Sequence, residues 1–190
     1  MRPSYELTIT TGPTAHPLTL EEARAQLNSP QGLPDDVYVE SLIATAHRYI
    51  AKGFNLTPMT TQYRLVTGRF VKDLPHPPVQ SIQSIQYYDS TETLITLEAG
   101  DYSFYPGSSK IHYRSDLCLY ASARTDRVII NYTAGYASAE LVPDSIKHAM
   151  RLLIGHWYEQ RQATGESTVK AIELGVRDLL FTEKCHRWRA

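Results

Sequence analysis

Seven histidines, two cysteines and a scatter of acids are the side chains on which any chemistry would have to rest in this chain of 190 residues. A zinc site needs ligands at fixed short spacings, such as two histidines four residues apart on one helical face. His148 and His156 share a predicted helix but lie eight residues apart, and neither has an acid or a second histidine at i+4. They read as packing or interface histidines. Cys185-His186 offers two adjacent donors, yet Cys118 is remote and no CxxC occurs, so neither a metal nor a cofactor is expected. Nucleophilic catalysis fares no better: there is no G-x-S-x-G elbow and no cysteine in an activating motif. Pro106-Gly107-Ser108-Ser109-Lys110 lacks the glycine spacing of a phosphate-cradling loop and reads as a turn. Asp35, Asp36 and Glu40 would be the acids of a metal-dependent hydrolase, but acids there are also the ordinary signal of a helix start. No catalytic residue is assigned, and the chain reads as a protein that is not an enzyme.

Binding is better supplied than catalysis. Lys184, His186, Arg187, Trp188 and Arg189 put three fixed charges, a titratable ring and a large aromatic into six residues. Arg and Trp are the residue types that most often anchor interfaces, and a protein partner is the preferred reading. Basic residues with an aromatic can also grip a DNA strand, and a solvated tail with Trp188 against the body is the plain alternative. Thirteen tyrosines suit either extensive protein interfaces or a tyrosine-rich sheet.

The elements that must position these groups are read from periodicity and turn chemistry. Thr19 with Glu22 three residues on forms a capping box, which predicts a helix from Leu20 to Leu27. Asn28, Ser29, Pro30, Gly32 and Pro34 interrupt it, and Asp35 or Asp36 is expected to cap a longer helix closed by Gly53. Val39, Ile43, Ala46 and Ile50 mark that helix's apolar face, with Arg48 and Lys52 pointing elsewhere. Pro75, Pro77 and Pro78 then exclude helix, and strands are expected at Gln62 to Val66, from Val79 to Tyr87, Leu94 to Leu97, Asp101 to Tyr105, Ile111 to Tyr113 and Arg127 to Thr133. After Gly135 and Pro143 comes an amphipathic helix whose apolar residues recur at Ile146, Ala149, Met150, Leu153, Ile154 and Trp157. His156, Tyr158 and Glu159 flank that stripe, placed to meet a neighbouring subunit or partner. Val169 to Phe181 is a strand or a short helix. The expected fold class is α+β: a helical domain with long amphipathic helices, residues 1–60 and 137–190, and an antiparallel β-rich insertion, residues 61–136.

The run from Tyr132-Thr133-Ala134-Gly135-Tyr136 through Val142-Pro143, Ile146-Lys147 and Gly155-His156-Trp157-Tyr158-Glu159 resembles a segment of a tailed-bacteriophage family, the head-tail connector adaptors of the neck related to the long-tailed coliphage connector. Three further segments fit in order: Leu18-Thr19-Leu20-Glu21-Glu22-Ala23, the helix ending near Gly53, and Leu74-Pro75-His76-Pro77-Pro78-Val79. The resemblance implies a structural protein forming a dodecameric ring under the portal. That ring would extend the DNA channel, pass genomic DNA without sequence-specific binding, and dock the next neck or tail-completion protein. It also implies a place in the virion neck after assembly in the host bacterial cytoplasm, and segments that refold on the portal, here Gln162 to Ser167 and Lys184 to Ala190. The alternatives are another neck or head-completion protein, a DNA-binding packaging component, or a metal-dependent hydrolase.

Composition narrows these readings. With 19 basic and 20 acidic residues nearly cancelling, no global field favours nucleic acid or an anionic membrane, and a DNA-coating role is disfavoured. Two distant cysteines make no disulfide framework and are expected as free thiols. The start, MRPSYELTITTGP, has no apolar run of signal-peptide length, and no stretch approaches the roughly 20 apolar residues of a membrane span.

Overall fold

Alternation of period two begins near the amino terminus, where Tyr5, Leu7 and Ile9 alternate with Glu6, Thr8 and Thr10, and Tyr5–Thr11 forms strand β1. A computed structural model describes residues 5–27, 35–89, 91–115, 128–160 and 175–181. The elements that follow are α1 (Leu20–Leu27), α2 (Asp36–Phe54), β2 (Thr61–Thr67), β3 (Val79–Tyr88), β4 (Leu94–Thr96), β5 (Tyr102–Phe104), β6 (Ile111–Tyr113), β7 (Val128–Ala134) and α3 (Asp144–Glu159). A short 3-10 turn, Ala139–Leu141, precedes α3, and residues 175–181 form a last helix, α4. Contacts divide the chain into two compact units, Met1–Thr14 with Thr60–Tyr136, and Ala15–Met59 with Ala137–Ala190.

The expectation of a helical domain with long helices carrying a β insertion is overturned, although the broad class α+β holds. Helices α1, α2 and α3 have 8, 19 and 16 residues. The dominant feature is an antiparallel five-stranded sheet in the order β1-β2-β7-β3-β4, beside a two-stranded sheet of β5 and β6. Its edge strand β1 comes from the start of the chain, so the sheet is not confined to a middle insertion. The helices stay short because the backbone is punctuated: α2 ends where Asn55 takes a left-handed conformation at φ 53°, and α3 begins only after Pro143. Gly53 therefore lies inside α2 rather than closing it.

In the β unit, β7 is the central strand. Leu65 on β2 faces Ile130 on β7, which faces Ile85 on β3, and all three are buried. Burying each such side chain contributes about 1.5–3 kcal/mol, so this cross-strand row is a principal source of the unit's stability. Two residues along on the same face, Tyr63 stacks on Tyr132 with ring centroids 5.4 Å apart, and the Tyr132 hydroxyl donates to the Pro75 carbonyl at 2.9 Å. That bond offsets the cost of burying a phenol. After β7 the chain reverses at Gly135, whose φ of 104° an L side chain rarely adopts. The Gly135 N–H donates to the Pro78 carbonyl at 2.7 Å, and the Thr60 N–H donates to the Tyr136 carbonyl at 3.1 Å, fastening the reversal on both sides.

In the helical unit, the capping box forms: the Glu22 N–H donates to Thr19 Oγ1 at 3.2 Å and the Thr19 N–H to Glu22 Oε2 at 2.9 Å. Val39, Leu42, Ile43, Ala46 and Ile50 make the buried face of α2, and Ile146, Ala149, Met150, Leu153 and Ile154 that of α3. Asp35 occupies the N-cap of α2 but makes no side-chain capping bond. Both acids at this helix start reach other elements instead. Asp36 accepts from Arg24 Nε on α1 at 2.9 Å and also pairs with Arg24 Nη2, a bidentate ion pair between consecutive helices.

Candidate partner-binding site

His156, Tyr158 and Glu159, expected at an interface, and Trp157, expected in the buried stripe, lie in differing environments at the end of α3. His156 is buried, with 8% of its surface exposed, and its carbonyl accepts the Gln160 N–H at 2.9 Å. Trp157 is half-buried rather than fully inside the stripe, and packs edge-to-face on Tyr49 of α2 with ring centroids 5.9 Å apart. Its carbonyl accepts from the Tyr38 hydroxyl at 3.2 Å. Tyr158 is also half-buried, and its hydroxyl donates to Asp35 Oδ2 at 2.8 Å. Glu159 is exposed in the last turn, where the carboxylate faces the negative end of the helix dipole. Of the four, Glu159 is thus the one that presents its side chain to solvent. Lys184, His186, Arg187, Trp188 and Arg189 lie outside the described residues, as do Cys118, Cys185, the 28–34 connection and Gln162 to Ser167.

Three polar links hold this helical surface in register. Tyr158 ties α3 to the start of α2, Arg24 ties α1 to the same start, and Arg151 Nη2 on α3 reaches Glu22 Oε1 on α1 at 3.4 Å. The last is a partly exposed pair, the kind that contributes little by itself.

Sequence spacing missed one titratable pair. His16 and His47, 31 residues apart, bring their Nδ1 atoms to 3.0 Å, with the rings edge-to-face at 5.3 Å. One nitrogen donates and the other accepts, so the contact requires at least one neutral ring. Burial pushes the His47 imidazole down to about 4, helped by His16 and by the Arg48 guanidinium. His16 is also lowered, by partial burial and Arg48. The pair is therefore neutral near pH 7, a structural contact rather than an acid-base centre. No sequence signal could have found it, because the helix phase of His47 says nothing about which loop residue meets it.

Among the described residues, no three His, Cys, Asp or Glu side chains converge to hold a metal ion, and no helix is long and apolar enough to cross a membrane.

No family model matches the chain, and no curated protein matches it. Solved structures do. The fold is similar to a chain in the neck of a native gene transfer agent particle computed with C12 symmetry, at TM-score 0.66 and 19% identity, covering 97% of both chains. The chain shares the fold of that neck subunit. It is also similar to a chain in the neck of an empty particle of this kind computed with C6 symmetry, at TM-score 0.66 and 21% identity, and to one in the virion of the native particle, at TM-score 0.63 and 23% identity. Each of these two matches covers 84% of this chain and 87% of the other.

Proposed function

We propose that the protein is a structural subunit of the neck of a phage-like particle: the head-tail connector adaptor, forming a dodecameric ring under the portal and docking the next neck or tail component. The observation that carries this reading is the end-to-end fold likeness, over 97% of both chains, to a subunit from a neck computed with C12 symmetry. In such a ring each copy buries one surface against a different surface of the next, the heterologous contact that closes by rotation. Exposed Glu159, at a helix end where the dipole does not favour it, is a candidate for that contact or for the portal, together with Lys184, His186, Arg187, Trp188 and Arg189. Near-neutral charge, 19 basic against 20 acidic residues, suits a conduit through which DNA must slide, since a strongly basic lumen would hold phosphates. The role is assembly, without catalysis, at the virion neck.

A second reading, another neck or head-completion protein, draws on the likeness, at the same TM-score of 0.66, to a neck computed with C6 symmetry. Electron microscopy of the protein mixed with the portal from the same genome separates the two. A ring stacked directly on the portal supports the adaptor; density elsewhere in the neck supports the second reading.

A further inference from the structure

Helix α2 carries a second stripe beside its buried one. Thr45, Arg48, Tyr49, Lys52 and Gly53 follow the i, i+3, i+4, i+7, i+8 spacing of a single helical face, about 100° around the axis from Ala46 and Ile50. Arg177 and Phe181, one turn apart on α4, share a face of that helix while Val176 and Leu180 fill its buried side. These two faces line a concave pocket of about 720 Å³ within the helical unit. Its volume falls in the range of ligand-binding clefts, about 300–1,000 Å³. Arg48, Lys52 and Arg177 place three cations on its walls, and none of its described lining residues is acidic. Phe181 is 57% exposed and Tyr49 37%, so aromatic surface is presented alongside the charges. Among the described residues none of the three cations takes part in an ion pair.

We infer that this pocket binds an acidic peptide segment of a partner protein, carboxylates on the three cations and an apolar or aromatic anchor against Phe181 and Tyr49. Guanidinium groups match carboxylates with paired N–H donors, and a rigid aromatic anchor in a concave site is the usual centre of a protein interface. Duplex DNA fits less well, because it is gripped by basic residues tracking successive phosphates rather than by a single open cleft with aromatic walls. The site is independent of the ring: a chain that formed no ring would still take the peptide.

Gly53 provides a test that leaves the charges in place. A Cβ added there meets nothing within 4 Å, so Gly53→Leu projects into open pocket space without a backbone clash, and leucine is a better helix former than glycine. The full chain would be titrated at low salt with a fluorescein-labelled peptide Asp-Glu-Phe-Glu-Asp, its amide counterpart Asn-Gln-Phe-Gln-Asn, and a short DNA duplex, using fluorescence anisotropy. The acidic peptide is expected to bind and the amide peptide not. The double variant Arg48→Gln with Arg177→Gln, and Gly53→Leu alone, should each weaken binding by roughly tenfold or more. The proposal is overturned if the acidic peptide does not bind, if the amide peptide binds equally, or if Gly53→Leu leaves affinity unchanged. It is equally overturned if the duplex binds and displaces the peptide from the wild-type chain, since the site would then be a phosphate track.

Discussion

The Tyr158 hydroxyl on the last turn of α3 donates to the carboxylate of Asp35 at the N-cap of α2, 123 positions earlier, at 2.8 Å. One contact thus joins the residue read as an interface tyrosine to the residue read as a helix cap. A hydrogen bond to a charged acceptor contributes about 1.5–3 kcal/mol when well shielded. With both partners half-buried, Tyr158→Phe is expected to cost about 1 kcal/mol, seen as a lower urea midpoint at unchanged slope. Asp35→Ala removes the acceptor, and once it is gone adding Tyr158→Phe should cost little more, because the shared bond has already been lost.

Acid should weaken the helical unit through His47. Its folded pKa, about 4, lies below the ordinary histidine value of 6.5, so between those values the unfolded chain binds a proton that the folded chain refuses. Stability from this group is complete above pH 6.5, declines as pH falls toward 4, and changes no further below that. The total loss is on the order of 3 kcal/mol. Denaturant titrations across this window should show wild type losing stability toward low pH relative to His47→Gln, whose neutral side chain carries no such penalty. Parallel curves would show that His47 carries no such linkage.

Local signals carried much of this fold into the sequence, and long-range pairing did not. The Thr19–Glu22 box and the Ile146 to Ile154 stripe were legible because each is decided within a turn or two of helix. β7 was legible from Val128, Ile129, Ile130 and Tyr132, but its central place between β2 and β3 depends on partners more than 40 residues away. β1 leaves a weaker trace although Tyr5, Leu7 and Ile9 alternate, because all but one of its residues are exposed and no buried apolar face marks the strand. Asp35 and Asp36 fit a capping pattern, yet Tyr158 and Arg24 claim their carboxylates, and side chains that distant leave no local trace. For the candidate site, the tail was visible as composition, whereas the α2 stripe of Arg48 and Lys52 became a pocket wall only when α4 was placed beside it.

The turn after β7 should tolerate little change. Gly135→Ala would force a Cβ into a backbone held at φ 104° and is expected to cost about 1–2 kcal/mol. Thermal unfolding would register this as a fall of several degrees. Gly53→Ala, in a helix with open space around its Cβ, should raise stability by about 0.5–1 kcal/mol and serves as the opposite control.

Burial holds the Tyr132 hydroxyl protonated well above the usual tyrosine range, so it remains a donor to Pro75 at every physiological pH. Tyr132→Phe leaves the Pro75 carbonyl without that donor and is expected to cost about 1–3 kcal/mol. Tyr132→Ala, which also opens a cavity against Tyr63, should cost about 3–5 kcal/mol. Urea unfolding of the two variants should preserve that order.

The most direct test of the neck-adaptor account is single-particle electron microscopy of the purified protein incubated with its portal. The account predicts a closed twelve-membered ring of this chain stacked on the portal with a continuous axial channel. A monomeric protein that leaves the portal bare, or copies bound on the capsid shell or the tail tip, would contradict it.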